Sequence, residues 1–325
     1  MLRMDFDITI GRYRLKMVDQ VKVKHSVEQL SDTATITLPA MVEGKALEVE
    51  SKLRPSHDKP VPVTIKLGYD GKLETEFEGF LKSVQADGGN LTLECEDAIY
   101  LFDKKVDDVE LTEISMKALL EKVVSQVDPS YQVQTEFDFT WDKFVFYHAT
   151  ARDVLKKVQD ETKANIWFRD GTLHVQPQYA QASDRTVVFD FSRNIESSSL
   201  KYRKKEDKKV EVTVELTNAE GDKTEVKYGA PGGKTIKRVG HGISKVEAKK
   251  IAENEYNLWC YDGYEGSFTG WLVPYVEPGD AVKILDSDYP TKQGAYYVTG
   301  TEISFSKEGG KRTVSLGRKL YEVKD

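Results

Sequence analysis

The sequence predicts a mainly β protein with an α+β insert, in which two similar β-barrel domains flank and pack with a small α+β domain. Three observations predict this fold class. Apolar residues alternate at period two near both ends of the chain, helical periodicity is concentrated in the middle, and one hairpin-like unit occurs twice. The length of 325 residues suggests two or three domains.

The repeated unit reads as strand, polar turn with paired glycines, and strand. The first copy is Phe77–Cys95 with Gly88-Gly89 at its turn, and the second is Val298–Leu316 with Gly309-Gly310. Paired glycines reach positive φ at little steric cost, which a tight hairpin requires. The second turn reads about two residues longer, so two unrelated hairpins remain the alternative to a duplicated barrel.

Residues 1–105 are predicted to form the first, tube-like β-barrel domain. Val21 and Val23 illustrate its period-two alternation, and the prolines between 55 and 62 mark a loop. Helical periodicity of ordinary length is missing from this stretch. We expect Gly79, like Gly300 in the second repeat, to mark a bulge or tight bend of a closing barrel.

Residues 106–182 are predicted to form the α+β middle domain. A helical stripe runs through Thr112–Val127 and stops at Asp128-Pro129. Thr150 opens a second helix, with Asp153 completing a variant of the capping box. Asp170-Gly171 between two apolar runs predicts a hairpin.

Residues 183–325 are predicted to form a second β-barrel domain with an inserted helix at 244–258, after a polar crossing segment at Gln178–Asp184. Ser244–Glu247 reads as a capping box at the start of this helix. Ala248, Ile251 and Ala252 are expected on its inward face.

Composition argues against several classes of function. The net charge is −7 and the pI about 5.5, which does not favour general nucleic-acid binding. The basic cluster Lys201–Lys209 contains two acids and is better explained as a solvated edge than as a phosphate site. No apolar run suggests a signal peptide or a membrane helix, so we expect assembly in a cytoplasm without membrane insertion. Cys95 and Cys260 are expected to be buried reduced thiols, with a disulfide between them as the less favoured alternative.

A search for catalytic, cofactor or metal residues gives none, and no cofactor is expected. The five histidines show no metal-ligand spacing, and His241, between two glycines, is either a turn residue or a functional imidazole. The 54 carboxylates select no catalytic pair. The densest aromatic cluster fits core packing better than a sugar platform; it comprises Trp259, Tyr261, Tyr264, Phe268 and Trp271.

The order of these parts resembles the late control D family, the baseplate hub proteins of contractile phage tails, which are related to the hub portion of type VI secretion VgrG spike proteins. Four segments carry the resemblance: Tyr147–Val158, Ile166–Leu173, Trp271–Ile284 with its Pro-Gly-Asp turn, and Gly294–Phe305 continuing through Val314-Ser-Leu316-Gly. The resemblance in the order of the parts extends over nearly the whole chain, although the individual motifs are loose. The family has no catalytic signature to match.

The resemblance implies a structural, non-enzymatic virion component of a phage, a prophage or a related contractile injection system. It implies a homotrimer whose two barrels per chain form a pseudo-sixfold ring between a hexameric tail tube protein and a trimeric spike protein, beside other baseplate proteins. No sequence-specific nucleic-acid contact is expected, and the expected location is the tail baseplate. Two alternatives stay open: a tail-associated cell-wall hydrolase, and a carbohydrate-binding or adhesive β protein.

Overall fold

The computed structural model describes residues 3–39, 41–42, 45–46, 53, 55–87, 89–135, 139–162, 164–169, 171–176, 185–217, 223–241 and 245–321. Within these ranges, no helix is both long and apolar enough to cross a membrane. The elements surround four clusters of buried apolar side chains.

An antiparallel sheet forms the N-terminal part of the chain. Val21 and Val23 are fully buried whereas Lys22 and Lys24 are exposed, because successive side chains of a strand point to opposite faces. A 3₁₀ helix, Ala98–Asp103, follows the sheet and is capped by Asp97, whose side chain accepts a hydrogen bond from the Ile99 amide. The strands are β1 (Met4–Ile10), β2 (Tyr13–Arg14), β3 (Gln20–Ser26), β4 (Thr33–Pro39), β5 (Met41–Val42), β6 (Lys45–Ala46), β7 (Pro62–Tyr69), β8 (Lys72–Asp87) and β9 (Asn90–Glu96).

Two helices and five strands make up the middle part. The predicted capping box is confirmed: the Thr150 amide donates to Asp153 Oδ2 over 2.9 Å, and the Asp153 amide donates to Thr150 Oγ1 over 3.1 Å. The buried stripes of both helices share one cluster. The elements are β10 (Val109–Ser115), α1 (Met116–Val127), β11 (Gln132–Thr135), β12 (Thr140–Phe146), α2 (Ala151–Thr162), β13 (Asn165–Arg169) and β14 (Thr172–Gln176).

A second sheet with an insertion forms the C-terminal part. The insertion is larger than the single predicted helix. Three strands, Val210–Thr217, Lys223–Gly229 and Lys234–His241, form a separate sheet that packs with the helix Lys245–Trp259 around its own apolar cluster. The elements are β15 (Thr186–Asp190), β16 (Ser197–Ser198), β17 (Lys201–Arg203), β18 (Val210–Thr217), β19 (Lys223–Gly229), β20 (Lys234–His241), α3 (Lys245–Trp259), β21 (Gly263–Trp271), β22 (Ala281–Leu285), β23 (Gly294–Ser306) and β24 (Gly309–Tyr321).

The two sheets have the same strand order. In chain order, strands a to f are β1, β3, β4, β7, β8 and β9 in the first barrel. In the second barrel they are β15, β16 with β17, β21, β22, β23 and β24. In both barrels the spatial order is a-d-e-f-c-b. The orientation of strand a differs, because β1 runs antiparallel to β7 whereas β15 runs parallel to β22. The shared order makes the two hairpins parts of one repeated motif.

Strand e is long and irregular in both barrels. β8 pairs with β7 through Lys72–Phe80 and with β9 through Phe80–Asp87, and each of these ladders contains one register shift. β23 has a register shift between Val298 and Gly300. A Cβ at Gly79 would lie 2.3 Å from the Glu96 carbonyl oxygen, so this glycine permits a close backbone approach. The predicted irregularity falls at Gly300 in the second copy, whereas in the first copy the register shifts lie on either side of Gly79.

The two hairpin turns differ from the prediction. Asp87 pairs with Asn90 and Ser306 with Gly309, so both turns have two residues and are equal in length. The second glycine pair lies in β24 rather than in the turn. The Leu272 side chain explains Gly310, because a Cβ there would lie 2.7 Å from Leu272 Cδ1.

Three helix and loop predictions also need correction. The first helix begins at Met116 rather than Thr112. Thr112 belongs to β10 and pairs with Lys143 of β12, and Ser115 is the N-cap of the helix. Ile251 is exposed, although Ala248 and Ala252 are buried as expected. His241 belongs to β20 rather than to a loop, because its backbone continues the parallel ladder with β18.

Some predictions fall on positions outside the described residues. These are the crossing segment 178–184 with the domain boundary at 182/183, and the turn residues Gly88 and Asp170. Ser244 of the predicted capping box also lies outside them.

Candidate functional site

The joint between the two barrels brings together several buried polar groups, and strand pairing builds it. Gly300–Ser306 of β23 pairs with β24 on one edge and antiparallel with β3 of the first barrel on the other. Ile303 and Phe305 of β23, with Leu272 beyond β21, belong to the apolar cluster of the first barrel. The core of the first barrel is therefore completed by the second.

A buried ion pair crosses this joint. Arg312 of β24 and Glu76 of β8 are 2% and 3% exposed, and Arg312 Nη2 lies 2.7 Å from Glu76 Oε1. The same guanidinium donates to the carbonyl oxygens of Leu272 and Val276 and lies over the Tyr275 ring. Arg312 thereby ties the first barrel to the segment that follows β21. Removing one partner of such a pair leaves a buried charge without compensation.

His25 extends the polar network on the first-barrel side. Its Nδ1 lies 2.7 Å from Asp32 Oδ2, and its Nε2 lies 2.7 Å from the Glu76 carbonyl oxygen. Burial alone would lower the pKa of His25, but the attraction of Asp32 outweighs it, so the pKa is raised. Burial raises the pKa of Glu76 although Arg312 opposes that shift.

The middle part is held to both barrels by arginines. Arg152 of α2 lies 2.6 Å from Glu96 of the first barrel, and Arg169 of β13 lies 2.9 Å from Glu277 of the second. Burial opposes ionisation of Glu96, but hydrogen bonds from Arg152 and Ser31 lower its pKa to about 2. These contacts fix the middle part against the joint.

A cleft of about 590 Å³ lies where the three parts meet. Phe80, Tyr131 and Phe168 contribute aromatic walls, and Glu76 and Arg312 contribute the buried pair. Within the described ranges, no cluster of three histidine, cysteine or acidic side chains has the geometry of a metal site. Arg312 and Asp32 hold Glu76 and His25 in structural contacts, so the arrangement stabilises a joint.

The sequence-predicted aromatic cluster does not form one platform. Trp259 packs beside the core of the inserted unit and donates from Nε1 to Glu255. Tyr264 and Phe268 are buried in the second-barrel core. Trp271 is 47% exposed at the end of β21. Three different environments thus divide the cluster, which favours packing over sugar binding.

The predictions about the cysteines and about the basic cluster agree with the structure. Cys95 and Cys260 are free and buried. The basic cluster begins in the short strand β17, where Lys201 is exposed and pairs through its backbone with Glu265 of β21. The joint itself was not predicted. One feature of the sequence could have indicated the joint. Arg312 is charged, yet it lies on the same face of β24 as the apolar Val314 and Leu316.

The fold is shared with phage tail proteins. No family model and no curated protein sequence matches the chain. The crystal structure of the tail protein from Neisseria meningitidis MC58 matches with a TM-score of 0.67 and 14% identity, over 97% of this chain and 97% of that one. The 43 kDa tail protein of prophage MuSo2 from Shewanella oneidensis matches with a TM-score of 0.65 and 14% identity, over 96% and 98%.

A type VI secretion protein has the same fold. The E. coli c3393 protein, described as a component of that system, matches with a TM-score of 0.61 and 9% identity over 98% of this chain and 80% of that chain. At these identities the matches establish the fold. They confirm the mainly β class and the resemblance to tail and secretion proteins that the sequence predicted.

Proposed function

We propose that this chain is a structural baseplate hub of a contractile phage or prophage tail, or of a related injection machine. It acts as a homotrimer by assembly rather than catalysis. Three chains supply six barrels, so one face of the ring meets a hexameric tail tube protein and the other meets a trimeric spike protein. Other baseplate proteins surround it in the virion, after assembly in the bacterial cytoplasm.

The identical strand order of the two barrels is the observation that supports this proposal most directly. A threefold assembly presents six similar units only if each subunit carries two copies of one unit. The rigid joint supports it further, since the ion pair and the β23–β3 ladder fix one copy against the other. We propose three domains on this basis: residues 1–105, 106–182 and 183–325.

Mass and symmetry test the proposal. Light scattering of the purified chain should give three times the 36.8 kDa mass of one chain. Electron microscopy should show a ring with six similar lobes, and class averages of these images should have threefold symmetry. A monomer at the highest soluble concentration, or a ring of another order, would contradict the proposal. A second function is not proposed, because the aromatic cluster that suggested sugar binding is divided.

A further inference from the structure

The contact between the two barrels within one chain has an equivalent that is not formed within the chain. Within the chain, strand e of the second barrel pairs with strand b of the first, as β23 with β3. The corresponding contact would join strand e of the first barrel to strand b of the second. Among the described strands, β8 beyond Leu81, whose amide donates to the Val61 carbonyl oxygen, pairs only with β9, and β16 pairs only with β21. Each of these two segments therefore has one edge on which no described strand pairs, and we call these the open edges.

We propose that these two open edges pair with each other between neighbouring copies of this chain. This inference rests on the proposed function and specifies its subunit interface: β8 of one chain extends the sheet of β16 in the next. Such a head-to-tail contact closes into a ring when the rotation suits it. In the ring, barrels of the two kinds alternate and each junction joins an e strand to a b strand.

The register of this contact follows from the strand pairings within the chain. The turns align Asp87 with Ser306, which makes Gln85 equivalent to Ser304 two positions earlier. Cross-strand partners can be followed in each barrel from strand e through strands f and c to strand b. This makes Lys22 of the first barrel equivalent to Ser197 of the second. The steps run through Ser83–Glu94–Thr35–Lys22 in the first barrel and Glu302–Thr313–Thr269–Ser197 in the second. Because Ser304 pairs with Lys22 inside the chain, Gln85 is expected to pair antiparallel with Ser197 of the next copy.

Exposure along the two edges agrees with this pairing. In the completed joint, Ile303 and Phe305 are 0% and 4% exposed. Their counterparts Val84 and Ala86 are half-buried and exposed, and the side chains of residues 196–199 are exposed. Val84 packs at the margin of the first-barrel cluster, so a neighbouring strand would bury the remaining exposed apolar surface of Val84 and Ala86.

The open edges carry little side-chain protection against pairing, since Glu196 is the one charged residue of the two segments, although β16 itself is short. Residues 83–86 read Ser-Val-Gln-Ala and residues 196–199 read Glu-Ser-Ser-Ser, with neither lysine nor proline in either segment. Lysine and proline are the residues with which proteins block edge strands. Lys82 and Lys201 stand just beyond the two segments, which limits the predicted ladder to about four residue pairs.

Disulfide trapping tests the interface. The double variant Gln85→Cys/Ser197→Cys should give covalent dimers and trimers on oxidation, because directly opposite strand residues bring their Cβ atoms within disulfide reach. Each single variant, and the control Gln85→Cys/Thr224→Cys with its second cysteine on the inserted unit, should give none. The buried Cys95 and Cys260 are present in every variant, so they do not distinguish the samples.

Light scattering on the same samples separates the two proposals. Trimers that do not crosslink above the control overturn the edge pairing and leave the hub proposal standing. Monomers without covalent products overturn both. A second variant, Ser198→Lys, should shift the equilibrium about tenfold toward monomer because it adds a charge to the edge, whereas Thr224→Lys should not. An unchanged equilibrium in Ser198→Lys also counts against the edge pairing.

Discussion

The two barrels share one strand order, yet their cores are completed differently. The cluster of the first barrel includes Leu272, Ile303 and Phe305 from the second. The cluster of the second barrel, among the described residues, contains no side chain from residues 1–105. The duplicated motif is therefore used asymmetrically: one copy borrows part of its core from its neighbour in the chain, and the other keeps an open edge. Three predictions test this asymmetry, and a fourth tests the contact between the first barrel and the middle part.

Breaking the buried pair should have the largest effect. Arg312→Leu is expected to lower the free energy of unfolding by about 3–5 kcal/mol, because the Glu76 carboxylate is left buried without its partner. At the equivalent position the first barrel has Leu93, so leucine suits the strand itself. Urea denaturation followed by fluorescence measures the change. The double variant Glu76→Gln/Arg312→Leu should recover most of the loss. Equal losses in both variants would show that the pair does not hold the joint.

Truncating the borrowed core should be next in size. Ile303→Ala is expected to cost about 2–5 kcal/mol, since Ile303 is fully buried in the first barrel. The counterpart Val84→Ala, measured on monomeric chain, should cost less than about 1 kcal/mol, because Val84 is half-buried. Denaturation curves of both variants give the comparison. Similar losses at the two positions would contradict the asymmetry.

Filling the space beside Leu272 should have a smaller effect. Gly310→Ala is expected to cost about 1–3 kcal/mol, because its Cβ would overlap Leu272 Cδ1. The first barrel has Leu91 at the equivalent position, with no borrowed leucine to accommodate. In a Leu272→Ala background the same substitution should cost clearly less, which a double-mutant cycle measures. If the losses of the two single variants simply add in the double variant, the cost of Gly310→Ala does not come from contact with Leu272.

Acid should weaken the contact between the first barrel and the middle part. Because the pKa of Glu96 is lowered to about 2 from 4.5, its contribution is present above pH 4.5 and is lost as the pH falls through about 2. Glu96→Gln removes the titrating group, so its stability should fall less steeply over that range than that of the unchanged chain. Thermal melts at a series of pH values test this. Parallel curves would assign the acid sensitivity to other carboxylates.

Local signals in the sequence predicted most of the elements. The Thr150–Asp153 capping box and the alternation of β3 were correct because backbone caps and period-two burial depend on neighbouring residues. The first helix was predicted four residues too early, because the pairing of β10 with β12 competes with helix formation and depends on residues about thirty positions away.

The joint was beyond sequence reasoning for a different reason. Glu76 and Arg312 are separated by 236 residues, and neither has a local partner that marks it. Gly310 read as a turn glycine because its constraint comes from Leu272, which the sequence does not place beside it. Packing across a repeat is set by which faces meet, and the hairpins alone do not specify that.

The inserted unit occupies the connection between strands b and c of the second barrel, where the first barrel has only the short connection between β3 and β4. It carries its own apolar cluster around β18 and α3. A segment that satisfies its own core can be exchanged, enlarged or deleted at a strand connection without disturbing the ladder on either side. In the proposed ring, this position would allow the outer contour to vary while the strands that form the wall keep their arrangement.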